Sequence, residues 1–542
     1  MPMSQQLTIS NLYNNKLVER YLAWIRDVTG LSQEATTVAA AAAAITAFLC
    51  TTTFTWQYFS SKQPATFANI PTPKGARPFV GHLFAIGRNR AVTFHEWHKE
   101  LGPIFYFRMG MKKMIVLADP DMTHELLSTM GRLTSDRPDV TLRHDFGEKD
   151  NRGIVLGQPH DKSYSVLRKS ALNALGPKKL KEASPILCKE ADEFVNIVAT
   201  GENVEPLPNV LRVSLNFVLL TVFNVRATSI QDPLYKEAIS IINTSMSFTH
   251  FKNTAGQFIP VLKVLDPIMG IKRKTIDYHE NIIRPFYLDL IETALNDDGP
   301  NMTKDLNEEM NNGRKGYYNN LLSTIHDIIL AGTDTTAVTI SWGFLQISTK
   351  PDVQKKIQQE IDAFVAKNGR IPYFWERDEV PYMIATQREC MRLRPTTEFG
   401  VTHATAEEFE WRGSIIPKNT FIMANMTDAH LNPEKYPNPE QFMPERFLGK
   451  EETMASSANR KVEHRDQFNF GWGRRVCVGT HLAETQMFNV WVRVLHRCDI
   501  KPALDKNGNE VPESLETVPP LSGPVVVSPS PFKLRFVPRN NV

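Results

Sequence analysis

The chain has 542 residues, with 62 Lys plus Arg against 59 Asp plus Glu, and 42% of it is hydrophobic. That balance excludes the concentrated basic excess of a nucleic-acid footprint, and five scattered cysteines (Cys50, Cys188, Cys390, Cys477, Cys498) without a CxxC pair exclude a disulfide framework or zinc-site spacing. The length suits three or four ordinary domains or one large enzyme fold.

Residues 1–34 form a short N-terminal segment in which Leu17, Tyr21, Trp24, Ile25 and Val28 share one helical face. Such a helix suits a membrane surface or any apolar partner. Residues 35–61 carry no charge and exceed the roughly 20 apolar residues that a spanning helix needs. Their Ala and Thr content also suits a buried or surface helix. Trp56, Tyr58 and Phe59 gather at one end as an interfacial aromatic group. Lys62, Lys74, Arg77, Arg88 and Arg90 follow with no acid before Glu96, whereas Lys16, Arg20 and Arg26 are balanced by Glu19, Asp27 and Glu34. The positive-inside rule then predicts a single-pass anchor with the C-terminal body in the cytosol. The apolar run begins too far from Met1 for a cleaved signal peptide. Residues 62–78, with Pro64, Pro71, Pro73 and Pro78, read as a stiff hinge. The body is 79–542.

Within the body, "GPIFYFRMGMKKMIVLADP" alternates and is rich in aromatic and β-branched residues, which predicts a hairpin. Most of 120–395 reads as helix, broken by polar stretches such as "NDDGPNMTKDLNEEMNNGRKG". Strand-like pieces return at "FEWRGSIIPKNTFIMAN" and "PVVVSPSPFKLRFVP". The fold class is mainly α with small β-sheets. Asn243, Asn301 and Asn425 open glycosylation sequons that a cytosolic body leaves unmodified.

A helix of about 30 residues ends at Pro351 and keeps apolar residues at helical spacing nearly all round. Its centre, "AGTDTT" (Ala331 to Thr336), places an acid and three hydroxyls where unpaired polar groups are costly. One reading is a local opening in which Asp334 and Thr335 hold water and relay protons. The other is the polar face of a partly exposed helix. In "ECMRLRP", Glu389 and Arg392 lie one turn apart, as a surface ion pair or as part of a buried network with Arg446 of "PERF". Near the end, "FNFGWGRRVCVG" sets Cys477 among basic residues and glycines. The basic neighbours predict a lowered thiol pKa, suiting a metal ligand or nucleophile. A buried structural cysteine is the alternative.

Taken in order, A-G-x-D-T-T, E-x-x-R, P-E-R-F and F-x-x-G-x-R-x-C-x-G (Phe470, Gly473, Arg475, Cys477, Gly479) resemble the cytochrome P450 family over about residues 71 to 535. They are closest to its membrane-anchored eukaryotic type, fungal in style. The resemblance implies the P450 fold behind an N-terminal transmembrane helix, in the endoplasmic reticulum membrane. It implies heme b ligated by Cys477, with Gly473 and Gly479 shaping the loop and Phe470 packing on the ring. It further implies that Arg475, Arg168 and His403 contact the heme acid groups. Tyr164 stands where the family usually has Trp, and Val401–Thr402 where a proline is common before His403. Both departures bear on those edge contacts. Glu389, Arg392 and Arg446 are the implied structural network.

The implied reaction inserts one oxygen atom of O2 into a C–H bond of a lipophilic substrate: a steroid, fatty acid, terpenoid or xenobiotic. Thr335 holds the oxygen-side water and Asp334 feeds protons. Phe399, Val401 and Ala331 line the implied pocket, with the segment around Phe248 and Phe251 as further candidates or ordinary core. No flavin or nicotinamide domain is evident, so the implied electron donor is a separate NADPH–cytochrome P450 reductase, with cytochrome b5 as a second candidate. Arg474, Lys461 and Arg465 are its candidate docking face, or a solvated charge run. Two alternative functions are a heme-thiolate isomerase or dehydratase and a non-catalytic heme-binding membrane protein.

Overall fold

The computed structural model describes residues 32–60, 66–87, 89–138, 153–161, 163–259, 270–311, 317–450, 452–523 and 525–540, with isolated positions at 19, 23, 26, 27, 30 and 262. The chain divides into two compact units, Met1–Thr66 and Phe67–Val542.

In the first unit, helix α1 spans Gln33–Ser60, 28 residues with Glu34 in its first turn. Val38, Ile45 and Phe48 are exposed on it. The hydroxyls of Thr51 and Thr52 donate to the Phe48 carbonyl and that of Thr55 to the Thr51 carbonyl, so these three hydroxyls turn back into the helix. Most of the amphipathic segment, the side chains of the aromatic group and residues 61–65 lie outside the described residues.

The second unit begins inside the expected hinge. The Phe67 N–H donates to the Ile415 carbonyl, Tyr106 donates to that of Pro71, and the rings of Phe67 and Tyr106 stack at 4.0 Å. The chain then runs through α2 (Arg90–Leu101), the hairpin β1 (Ile104–Met109) and β2 (Lys112–Leu117), α3 (Tyr164–Ala174), α4 (Pro206–Phe223) and α5 (Pro233–Ser247). A central α6 (Tyr317–Ser348) is followed by α7 (Pro381–Leu393), β3 (His403–Ala404), β4 (Phe421–Ala424), α8 (Thr480–Arg497), β5 (Cys498–Leu504) and β6 (Leu534–Pro538). The first sheet has the order β1-β2-β4-β3, antiparallel except for β2 against β4. The second pairs β5 with β6 between two short edge strands.

Helix α6 is the axis of the fold because it is apolar on nearly every face, so neighbours must cover it all round. Leu321, Ile325 and Ile329 join one core cluster, with Leu215, Leu219 and Tyr287; Ile340, Phe344 and Ile347 join another, with Trp491 and Phe536. A β-carbon at Gly343 would meet the Trp491 ring at 2.4 Å, so glycine lets α8 lie against α6. Among the described residues, helices α4 and α6 are long and apolar enough to cross a membrane by composition, but 72% of the apolar 18-residue stretch of each is buried inside the protein.

Two expectations change here. Helix α6 is continuous through "AGTDTT". Within that stretch the hydroxyls of Thr333 and Thr335 bond to the carbonyls of Ile329 and Ala331 one turn earlier, so two of its polar groups are satisfied inside a continuous helix. The polar stretch after Asn296 contains a helix, Met302–Met310, with Met302, Leu306 and Met310 buried on one face. Asn301 and Asn425 cap short helices through their side-chain oxygens, on the N–H groups of Lys304 and Asp428, and both are buried.

Candidate active site

The loop carrying Cys477 enters from a short turn, Gly473–Arg475, and leaves into α8. Gly473 has φ +53°, and a β-carbon there would lie 2.4 Å from the Leu127 carbonyl oxygen, so only glycine seats the loop this closely. Gly479 needs no such conformation; its β-carbon would stand 3.8 Å from the Cys477 sulfur, in ordinary contact. The Cys477 N–H donates to the Phe470 carbonyl at 2.9 Å, which closes the loop. Cys477 is exposed onto a cavity of about 380 Å³, which it lines with Phe470 and Gly479.

Burial pushes the Cys477 thiol pKa up, against the Gly479 N–H, the Thr480 hydroxyl and the charge of Arg168. The expected lowering by basic neighbours fails because Arg474 is exposed and Arg475 turns away. Buried Arg475 donates to the carbonyls of Ser135 (2.8 Å), Ile154 (3.3 Å) and Gly157, and to the Tyr164 hydroxyl (2.8 Å), with its guanidinium 4.6 Å from the Tyr164 ring centre. Tyr164 therefore fills the family's Trp position by holding Arg475 rather than by lining the cavity.

The opposite wall is α6. Ala331 and Thr335 line the cavity, as do Phe399 and Val401 from the bent segment before β3. Phe399 is also part of an aromatic cluster, 5.2 Å from Phe94. Asp334 is not on the cavity wall. Burial alone pushes its carboxyl up to about 6, and its charge, after burial, helps raise the Tyr235 phenol on α5. The segment expected to contribute Phe248 and Phe251 gives Met246 and Thr249 instead. Phe248 packs edge-on to Tyr278, and Phe251 is exposed.

At the cavity's edge, Arg137, Arg168, Arg475 and His403 converge. Burial, then the like charges of Arg475 and Arg168, hold Arg137 well below the usual guanidinium range. His403 is held well down by burial and by Arg137. Its Nδ1 lies 2.9 Å from the Thr134 carbonyl, so Nδ1 carries the proton there and donates it. Such a set of mutually repelling cations suits a dianion. Sequence reasoning missed Arg137, which donates to the carbonyls of Val155 (3.1 Å), Val401 and Thr402 (3.0 Å). The only signal was a lone arginine in "TSDRPDV".

Behind the cysteine loop, Glu389 and Arg392 on α7 form two 2.8 Å bonds at zero exposure. Arg446 reaches the same carboxylate at 3.2 Å, and the Met443 N–H donates to it at 2.8 Å. Arg465 is buried over the Trp472 ring at 4.3 Å and donates to the Gly471 carbonyl, so it is not on a docking face; Lys461 and Arg474 are exposed.

The donor set fits heme b: a thiol on one wall, cations for two acid groups at the edge, and apolar surface between. Among known proteins, the family model described as Cytochrome P450 matches residues 71–535. The chain is similar to Cytochrome P450 monooxygenase fogE of Aspergillus ruber, 30% identical over 85% of this chain and 86% of the relative. It is 28% identical to Cytochrome P450 monooxygenase COX2 of Coprinopsis cinerea, over 87% and 89% of the two chains. Against Cytochrome P450 monooxygenase aneD of Aspergillus aculeatus the identity is 27% over 92% and 93%. The chain belongs to the cytochrome P450 family of monooxygenases, oxidoreductases that bind heme b through a cysteine thiolate.

Proposed function

We propose that Cys477 is the residue whose thiolate would hold heme b and that the cavity between it and Thr335 is the oxidation chamber for a lipophilic substrate. The observation that carries this reading is the convergence of Cys477, Thr335 and the Arg137–Arg168–His403 cluster on one cavity. When bound, thiolate-ligated heme supplies the iron that activates O2 for insertion of one oxygen atom into a C–H bond.

The protein's own groups have separate tasks. Arg168 and Arg137 balance the heme acid groups, and contact with an anion raises His403 toward its protonated form. Arg475 spends four hydrogen bonds on the 154–157 loop, Ser135 and Tyr164, and keeps one N–H for the same purpose. Thr335 orients a water or hydroxyl proton at the cavity, while Asp334, facing Tyr235 and α5, brings protons from outside. Phe470 would pack against the heme beside Cys477, and Phe399, Val401 and Ala331 confine the substrate. Glu389, Arg392 and Arg446 hold the segment before the cysteine loop. Residues 35–61 anchor the chain in the endoplasmic reticulum membrane with residues 79–542 in the cytosol; α1, at 1.5 Å per residue, is about 42 Å long and suffices to span. Electrons come from NADPH–cytochrome P450 reductase or cytochrome b5, docking near Arg474 and Lys461. Steroids, fatty acids, terpenoids and xenobiotics are the substrate classes to screen.

The test is reconstitution of the full chain with the reductase in vesicles. Substrate-dependent consumption of NADPH and O2, with an oxygenated product, is expected. Reduction by the reductase without O2 uptake would overturn the reading in favour of a heme-thiolate isomerase.

A further inference from the structure

Helix α2 opens against the rule set by its own dipole. The positive end of a helix favours acids and disfavours cations, yet the first residue of α2 is Arg90 and its first turn holds no acid. Arg90 is half-buried, and burial holds its guanidinium below the usual range, with the charge of Glu398 opposing that shift. A side chain kept at a locally unfavourable position has a tertiary contact that offsets the cost. Here the contact is with the cavity wall. The guanidinium carbon of Arg90 lies 5.1 Å from the centre of the Phe399 ring. Phe94, one turn further along the same face of α2, meets that ring edge-on at 5.2 Å. Phe399 is 4% exposed and lines the cavity; among the described residues that line it, neither Arg90 nor Phe94 is found.

The bend that carries Phe399 is fixed from behind. The Glu398 carbonyl accepts the Met426 N–H at 2.8 Å. Gly400 has φ +59°, and a β-carbon there would lie 2.9 Å from the end of the Met426 side chain. Burial pushes the Glu398 carboxyl up, against the charges of Arg90 and Arg394, and Arg394 in turn lies 5.1 Å from the Trp342 ring on α6. The backbone of the bend is thus tied to its neighbours, and the ring of Phe399 is the part whose pose depends on α2.

We propose that Arg90 is a positioning residue for the substrate chamber: by cation–π attraction it draws the Phe399 ring back against α2, and so sets how bulky a substrate the chamber admits. This rests on the cavity's being the substrate chamber. A partly desolvated guanidinium over an aromatic face favours the held pose by about five-fold or more. Without that charge the ring turns into the cavity, where it leaves room for a small ligand and excludes a larger one.

The experiment measures binding of indole and of the bulkier 2-phenylindole to the heme-loaded full chain by equilibrium dialysis, corrected with protein-free micelles. Wild type is compared with Arg90→Met, Arg90→Gln and Arg90→Lys, each also in a Phe399→Ala background. Both uncharged variants are expected to lose 2-phenylindole affinity about five-fold, with indole changed less than two-fold. Arg90→Lys, which keeps a cation, is expected to retain most of the affinity. In the Phe399→Ala background the Arg90 substitutions are expected to change nothing, because the effect passes through that ring. Unchanged 2-phenylindole binding in the uncharged variants would overturn the proposal. So would an equal loss of both probes, or a loss that persists without Phe399. Occupation of the heme chamber is read separately, from the shift of the wild-type heme Soret band by each probe. An Arg90 and Phe399 dependence without that shift would fault the chamber reading and leave the positioning of Phe399 standing.

Discussion

Burial favours the protonated thiol at Cys477, and the groups that oppose it are the Gly479 N–H, the Thr480 hydroxyl and Arg168. In the proposed site, iron completes that balance, since coordination deprotonates a thiol. Asp334 illustrates a conflict between stability and chemistry. An acid whose folded-state pKa exceeds its unfolded value costs stability as pH rises above the unfolded value, and costs in full above the folded one. For Asp334 the window runs from about 4 to about 6. Asp334→Asn is expected to raise stability at neutral pH by on the order of 2 kcal/mol, with the gain gone near pH 4, as thermal denaturation across pH would show. The same variant is expected to slow turnover about 100-fold. Cys477, Thr335 and Ala331 were legible as cavity candidates because their motifs are local, whereas Phe399 and Val401 came only from the family resemblance. Arg137 was not, because one of its acceptors, the Val401 carbonyl, lies 264 positions away.

Between residue and fold, single positions decide how elements meet. The carboxylate of Glu389 takes two guanidinium groups and a backbone N–H at zero exposure, so Glu389→Gln leaves buried Arg392 and half-buried Arg446 without their counter-charge. A loss of about 3–5 kcal/mol is expected, visible as a collapse in the yield of folded, heme-loaded protein. Gly473→Ala should cost about 1–3 kcal/mol, since both its φ and its contact with Leu127 exclude a side chain. Faster heme loss to an acceptor protein is the readout. The hairpin β1–β2 was legible from alternation alone. The helix Met302–Met310 was hidden by its polar composition, although Met302, Leu306 and Met310 recur every four residues and Asn301 caps it. Of the two readings of the α6 centre, the helix is continuous, and the Thr333 and Thr335 hydroxyls satisfy themselves on the preceding turn, which leaves Asp334 as its one costly polar group.

At the scale of the whole molecule, the order of four short motifs carried the family, and the fold then explains their separation. Helix α6 supplies one wall of the cavity, the Cys477 loop the other, and α7 the network behind that loop. No composition argument could place these walls face to face, because the juxtaposition depends on long-range packing of α4 and α8 around α6. Removing residues 1–61 is expected to move most of the protein from the membrane to the soluble fraction on centrifugation, with its heme spectrum unchanged. Retention of the truncated chain on membranes would contradict the anchor.

The central claim, that Cys477 ligates heme iron, is tested most directly by the carbon monoxide difference spectrum of the reduced protein, wild type beside Cys477→Ala. The account predicts the long-wavelength Soret band of a thiolate-ligated ferrous complex in wild type and its loss in the variant. A heme-loaded, folded wild type without that band, or a Cys477→Ala protein that keeps it, would contradict the account.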